Sequence, residues 1–104
     1  MLVESGAVPQ EFALEQCYPN PFNPTTAIGF DLPVASLVTL KVYDLLGREV
    51  VTLLEKREYE AGSFAVDFNA GTHASGVYIY KLTADGDGMK SQTFTNVKKM
   101  ILMR

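Results

Sequence analysis

The sequence predicts an all-β sandwich of about seven short strands, and three observations carry that prediction. Apolar residues alternate with polar or small ones in several short runs, the period of a half-buried strand. Clusters of Gly, Pro, Asn and Asp interrupt those runs every eight to twelve residues or so, the spacing of sandwich turns. No stretch sustains the 3.6-residue period of an amphipathic helix, and no internal repeat is visible.

Taken in order, residues 1–11 mix small, polar and apolar types without a period and read as a linker from a preceding domain, leaving 12–104 as the domain itself. Phe12–Gln16 is a short first strand. Cys17–Thr26, CYPNPFNPTT, holds three prolines; each lacks an amide donor and keeps the preceding residue extended, so the stretch is a rigid loop. Ile28, Phe30 and Leu32 then alternate with Ala27, Gly29 and Asp31 up to Pro33. Val38, Leu40 and Val42 alternate with Thr39, Lys41 and Tyr43. Asp44–Gly47 is a turn in which Gly47 is expected at positive φ, and Val50–Leu54 is the returning strand. Glu55–Gly62 reads as a charged connection. Phe64, Val66 and Phe68 alternate with Ala65, Asp67 and Asn69, and Asn69–Gly76 is a loop. Val77–Ala84, VYIYKLTA, is the most β-prone run; Asp85–Gly88 is a hairpin turn, and Ser91–Met103 is a final strand. The expected core is Val38, Leu40, Val42, Phe64, Val66 and Phe68.

At 104 residues, 47% of them hydrophobic, the chain suits one domain with a real core. The net charge of −3 argues against nucleic-acid binding, which needs a basic surface. That charge is unevenly spread. Residues 89–104 hold four basic residues (Lys90, Lys98, Lys99, Arg104) and no acidic one, for +4, against −7 before them. Cys17 has no partner for an internal disulfide. No apolar run approaches the ~20 residues of a membrane span, and residues 1–10 have neither the basic nor the apolar region of a signal peptide.

Catalytic chemistry finds little support. A nucleophilic triad needs a base held between nucleophile and acid; His73, the one histidine, lies in a Gly/Ser/Thr/Asn loop near Ser75 and reads as a solvated loop residue. Asp85-Gly-Asp87-Gly resembles a calcium loop, but Met89 and Asn96 stand where oxygen ligands belong. One His and one Cys far apart do not make a zinc site. No glycine-rich loop opens a helix to hold phosphate. Asn20 and Asn23 precede prolines, so neither is a glycosylation acceptor. The chain is expected to be no enzyme and to need no cofactor or metal.

Leu14–Leu32, LEQCYPNPFNPTTAIGFDL, closely resembles the opening of the C-terminal sorting domain of the type IX (Por) secretion system, type A. Val38–Val50 (VTLKVYDLLGREV), Ala61–Val66 (AGSFAV) and Ser75–Leu82 (SGVYIYKL) follow in family order. Lys98–Arg104, KKMILMR, resembles the family's terminal basic-apolar motif. Cys17 stands where the family usually has Asn, and Phe68-Asn69-Ala70 where Trp-Asp-Gly is common. The resemblance implies an immunoglobulin-like antiparallel sandwich attached to an upstream cargo domain. It further implies passage from the periplasm through an outer-membrane translocon, removal by a sortase-like peptidase, and a secreted or cell-surface destination.

It also singles out residues. Lys98, Lys99, Met100, Leu102 and Arg104 are the expected recognition segment, the basic end of an acidic chain. Tyr18, Pro19, Asn20, Pro21, Phe22, Asn23 and Pro24 form a rigid cross-sandwich loop with Tyr18 and Phe22 packed on the core. Gly47 and Gly76 are turn residues, and Tyr78 belongs to a core strand. Export is expected to depend on the terminal segment and folding much less so, because a last strand can be peeled with little damage elsewhere. Two other functions are open on the residues alone. One is a structural or adhesive module, since the Ig-like domain of flagellar hook-capping proteins is similar in its VYDLLGREV and GVYIY elements. The other is carbohydrate binding by Tyr43 and Tyr59. An end at KKMILMR is expected of a sorting signal rather than of an internal module.

Overall fold

The computed structural model describes residues 8–89 and 92–104. The alternation in the sequence becomes two antiparallel sheets with their apolar faces together. β1 (Ala13–Leu14), β2 (Thr25–Leu32) and β5 (Gly62–Asn69) form one, in the order β1-β2-β5. β3 (Ser36–Tyr43), β4 (Glu49–Tyr59), β6 (Gly76–Gly86) and β7 (Thr93–Leu102) form the other, in the order β4-β3-β6-β7. Three strands facing four, with the chain crossing between sheets after β2, β4 and β5, is a seven-stranded immunoglobulin-like sandwich.

The core follows the period of two. Ile28, Phe30 and Leu32 from β2 meet Val38, Leu40 and Val42 from β3, and Tyr80, Leu82 and Ala84 from β6. A shift of one residue in any of these strands would turn the whole set outward, so burial itself holds the register. Phe68 lies in the core as expected, but Phe64 and Val66 are only half-buried. β5 pairs with β2 alone, so it is an outer strand and its near end is covered from one side. Phe64 instead packs edge-on against Tyr59, with ring centroids 4.8 Å apart, and lies 5.9 Å from Phe30.

Other boundaries differ from the sequence expectation. The first strand is confined to Ala13–Leu14, β2 begins two residues earlier than its apolar period, and β6 extends to Gly86. Glu55–Tyr59, expected as a charged connection, is the second half of β4 and pairs with Ser36, Leu37 and Val38. Charge hid it: on an outer strand Glu55, Lys56, Arg57 and Glu58 all reach solvent, so the polar-apolar contrast disappears. A bulge with Lys56 at φ 45° separates the two halves, and the Lys56 N–H donates to Thr39 Oγ1 at 3.2 Å. The expected linker lies outside the described residues as far as residue 7, and Ser91, the expected start of the last strand, also lies outside them.

Candidate functional site

The two segments singled out at opposite ends of the sequence lie against each other. Prolines keep residues 17–24 from continuing either sheet, so the loop satisfies its polar groups one at a time. Tyr18 exchanges two backbone hydrogen bonds with Ala27, each 3.0 Å. The Pro19 carbonyl accepts the Thr26 hydroxyl at 2.7 Å, and the Pro24 carbonyl accepts the Ala70 N–H at 2.8 Å. Phe22 is buried and its ring tilts against Phe68, 6.0 Å between centroids. Tyr18 does not share that core position: its side chain is 82% exposed. The flanking bridge to Ala27 turns it outward, while the buried place in the sequence belongs to Cys17. Pro19, Asn20, Pro21 and Asn23 are exposed, and Pro24 is half-buried.

β7 divides the expected recognition segment between two faces. Met100 and Leu102 point inward and are fully buried; Lys98, on the same face, is half-buried at the rim. Lys99, Ile101 and Met103 point outward and are exposed, as is Arg104. Met100 and Leu102 are therefore core residues and offer a partner nothing while the domain is folded. The burial of Met100 and Leu102 argues against the expectation that folding depends on the terminal segment much less than export does. A strand that is outermost in sequence still contributes one whole face to the core.

The loop closes over this strand along its free edge. Gln16 Nε2 donates to the Lys99 carbonyl at 2.8 Å, and Asn20 Oδ1 accepts the Ile101 N–H at 2.9 Å. The Phe22 N–H donates to the Ile101 carbonyl and the Met103 N–H to the Phe22 carbonyl, both 2.9 Å, in a one-residue parallel bridge between Phe22 and Leu102. Arg104 is tied to the loop before β6: its Nε donates to the His73 carbonyl at 2.9 Å and its N–H to Ser75 Oγ at 3.2 Å. His73 is half-buried, with its ring 6.4 Å from that of Tyr78, rather than a solvated residue. The Tyr78 hydroxyl, half-buried on β6, donates to the Ala74 carbonyl. Gly76 opens β6 at φ 149°, where a side chain would be strained.

Behind the loop stands Tyr80. Its fully buried ring carries a hydroxyl that donates to the Glu15 carbonyl at 2.7 Å and accepts the Cys17 N–H at 2.9 Å, joining β6 to the chain entering the loop. Burial pushes its pKa up to about 12. At the far end of β3 the expected turn is present. Gly47 has φ 85°, its N–H donates to the Asp44 carbonyl at 3.0 Å, and Asp44 Oδ1 accepts the N–H groups of Leu46 and Arg48. The Arg48 backbone N–H, together with desolvation that opposes it and the Arg48 side chain, leaves the Asp44 carboxyl below its ordinary 3.8. Among the described residues, no group of three or more His, Cys, Asp and Glu is placed to hold a metal ion.

Sequence reasoning missed Gln16, Ile101 and Met103. The signal for the last two was present: the alternation used for β2, β3 and β5, carried through residues 99–103, separates them from Met100 and Leu102. Gln16 carried no signal, because its partner is a backbone carbonyl 83 residues away.

Comparison with known proteins gives one family and one fold. A family model described as "Secretion system C-terminal sorting domain" matches residues 16–102. No curated protein matches the chain. Among solved structures, that of CopC from Methylosinus trichosporium OB3b is similar with a TM-score of 0.56 at 14% identity, over 88% of this chain and 93% of that one, a likeness of fold alone.

Proposed function

This chain belongs to the secretion system C-terminal sorting domain family, and from that premise we propose that the type IX machinery reads it as a folded domain, through the outward groups of its terminal strand. As a member it is a sorting signal: it serves a cargo, works with the type IX secretion machinery, and its destination is secretion or the cell surface. Among the described residues, no helix is long and apolar enough to cross a membrane.

In the finer reading, the domain follows its cargo at residue 12, is met in the periplasm by an outer-membrane translocon, and is released by a sortase-like peptidase. It performs no chemistry itself; its lone Cys17 is buried and its one histidine leans on Tyr78. Lys99 and Arg104 are the recognition residues in this reading. The observation that carries it is the split of β7, which leaves Lys99 and Arg104 exposed while Met100 and Leu102 hold the fold. Charges at the rim of a surface steer and select partners without contributing to the core.

The test is a fluorescent reporter with a periplasmic signal, fused to residues 12–104, in a bacterium that has the type IX system. The complete fusion is expected in the medium or on the cell surface. With Lys99→Ala and Arg104→Ala combined, it is expected to stay in the periplasm with unchanged protease resistance. A complete fusion that never leaves the periplasm would overturn the sorting reading for this domain. A double variant exported like the parent would remove Lys99 and Arg104 from recognition.

A further inference from the structure

β7 has a free edge, and the chain's own loop bonds only half of it; β1 passes beside the rest, with Phe12 stacked on Phe94 at 5.3 Å, without pairing with it. The groups on that edge are those of the odd-numbered residues: Lys99 C=O, Ile101 N–H and C=O, and Met103 N–H all bond to residues 16–22 rather than to β6. In a regular antiparallel ladder the same side carries the backbone groups of Thr95 and Val97, and the β6–β7 register runs without a break through both. There, among the described residues, no hydrogen bond reaches Thr95 N–H or C=O, Val97 C=O or Lys99 N–H. Val97 N–H is occupied only by the side chain of its own neighbour Asn96, at 2.8 Å. The sheet's opposite edge is differently made. β4 is broken by register shifts and the positive φ of Lys56 and carries four consecutive charged residues, devices that discourage strand pairing.

We propose that the open edge of β7 from Thr95 to Lys99 is a strand-addition site, and that its occupant is an extended, acidic-apolar segment of a protein of the export machinery. The proposal rests on the sorting reading above and deepens it. Two observations choose this occupant. At the other half of the same edge Phe22 exchanges main-chain bonds with Ile101 and Met103 in a one-residue bridge, and Asn20 Oδ1 accepts the Ile101 N–H, so the outward backbone groups of β7 already take partners from outside the sheet. The charge that β6 and β7 present around the open part is positive: Lys99 and the half-buried Lys98 lie on β7, and Lys81 on β6 stands opposite the exposed Val97. The nearest acid on β6, Asp85, is at the far end, where it accepts the Thr93 hydroxyl at 2.6 Å. A second copy fits this edge less well, since pairing β7 with β7 about Val97 gathers Lys98 and Lys99 of both copies on one short ladder with no acid on either strand to offset them.

The wild-type domain supplies the first test, which needs no variant to fold. Its amide resonances are followed while a short peptide of alternating Val and Glu is added. Shifts confined to Thr95–Lys99 and weakened by salt are expected; no shifts there, or equal binding of a Val/Lys peptide, would overturn the proposal.

The second test uses the reporter with Val97→Pro. Proline at an outward-facing position of an outer strand leaves the β6–β7 bonds in place and removes the donor that a partner would use. Export at least ~10-fold below that of Val97→Ala is expected, with protease resistance retained. Export of Val97→Pro at the level of Val97→Ala would overturn the strand-addition site while leaving the sorting reading intact. Failure of the parent fusion would overturn the sorting reading instead. Should Val97→Pro lose protease resistance, Thr95→Pro takes its place with the same expected loss. A concentration-dependent dimer of the parent that Val97→Pro abolishes would overturn the choice of occupant.

Discussion

Shortening Leu102 to Ala removes most of a side chain that is 1% exposed and sits next to Phe22 at the end of the core. Deleting a buried leucine in this way costs about 2–5 kcal/mol, the upper part of the range applying where the walls cannot collapse. Here the backbone of residue 102 is pinned on both sides, to Gly76 by the ladder and to Phe22 by the bridge, so the cavity should stay open. A domain of this size has a total stability of roughly 5–15 kcal/mol, so one substitution removes a large share. The melting midpoint should fall by at least about 8 °C, taking 4–8 °C per kcal/mol. Ile101, one residue away, is 39% exposed and faces outward; its replacement by Ala should cost less than about 1 kcal/mol. Urea unfolding followed by far-UV circular dichroism, with an unchanged slope, measures both. Deleting residues 98–104 removes Met100 and Leu102 together and should leave little folded protein. The assignment of faces on β7 is wrong if Ile101→Ala proves as costly as Leu102→Ala, or if the shortened chain unfolds at the parent midpoint.

Gly47→Val should destabilise by about 1–3 kcal/mol through backbone strain alone, since a Cβ at Gly47 meets nothing within 4 Å; a denaturation midpoint equal to the parent's would remove the positive-φ argument. Tyr80→Phe leaves the Glu15 carbonyl and the Cys17 N–H without their partner and should cost about 2–4 kcal/mol in the same assay. Because the folded pKa of Tyr80 is raised to about 12 from 10, its contribution is complete below pH 10 and fades as pH rises from there to 12; Tyr80→Phe should flatten that alkaline limb of the stability curve. The Asp44 carboxyl is lowered, so its contribution is present above 3.8 and is lost as pH falls through the folded value; Asp44→Asn should remove that acid-limb dependence, read as melting midpoint against pH.

The sequence by itself determined most of the strands and the family resemblance. A period of two is a local property, imposed by side chains that alternate across a pleated backbone, so β2, β3 and β6 were legible from their apolar residues alone. The turn at Gly47 was legible for an equally local reason, a tight reversal that demands positive φ. Other features depended on position in the assembled sheets. Whether Phe64 is buried depends on β5 being an outer strand, and whether Glu55–Tyr59 is strand or connection depends on which of its sides meets water. The clasp between residues 16–22 and the terminal strand lay furthest from view. Its bonds run mainly to backbone groups more than 80 residues away, such as Lys99 C=O and Ile101 N–H, and a backbone group has no side-chain identity through which a sequence could announce its partner. Tertiary structure alone therefore decided that Met100 and Leu102 build the core while Lys99 and the open edge beside it face outward.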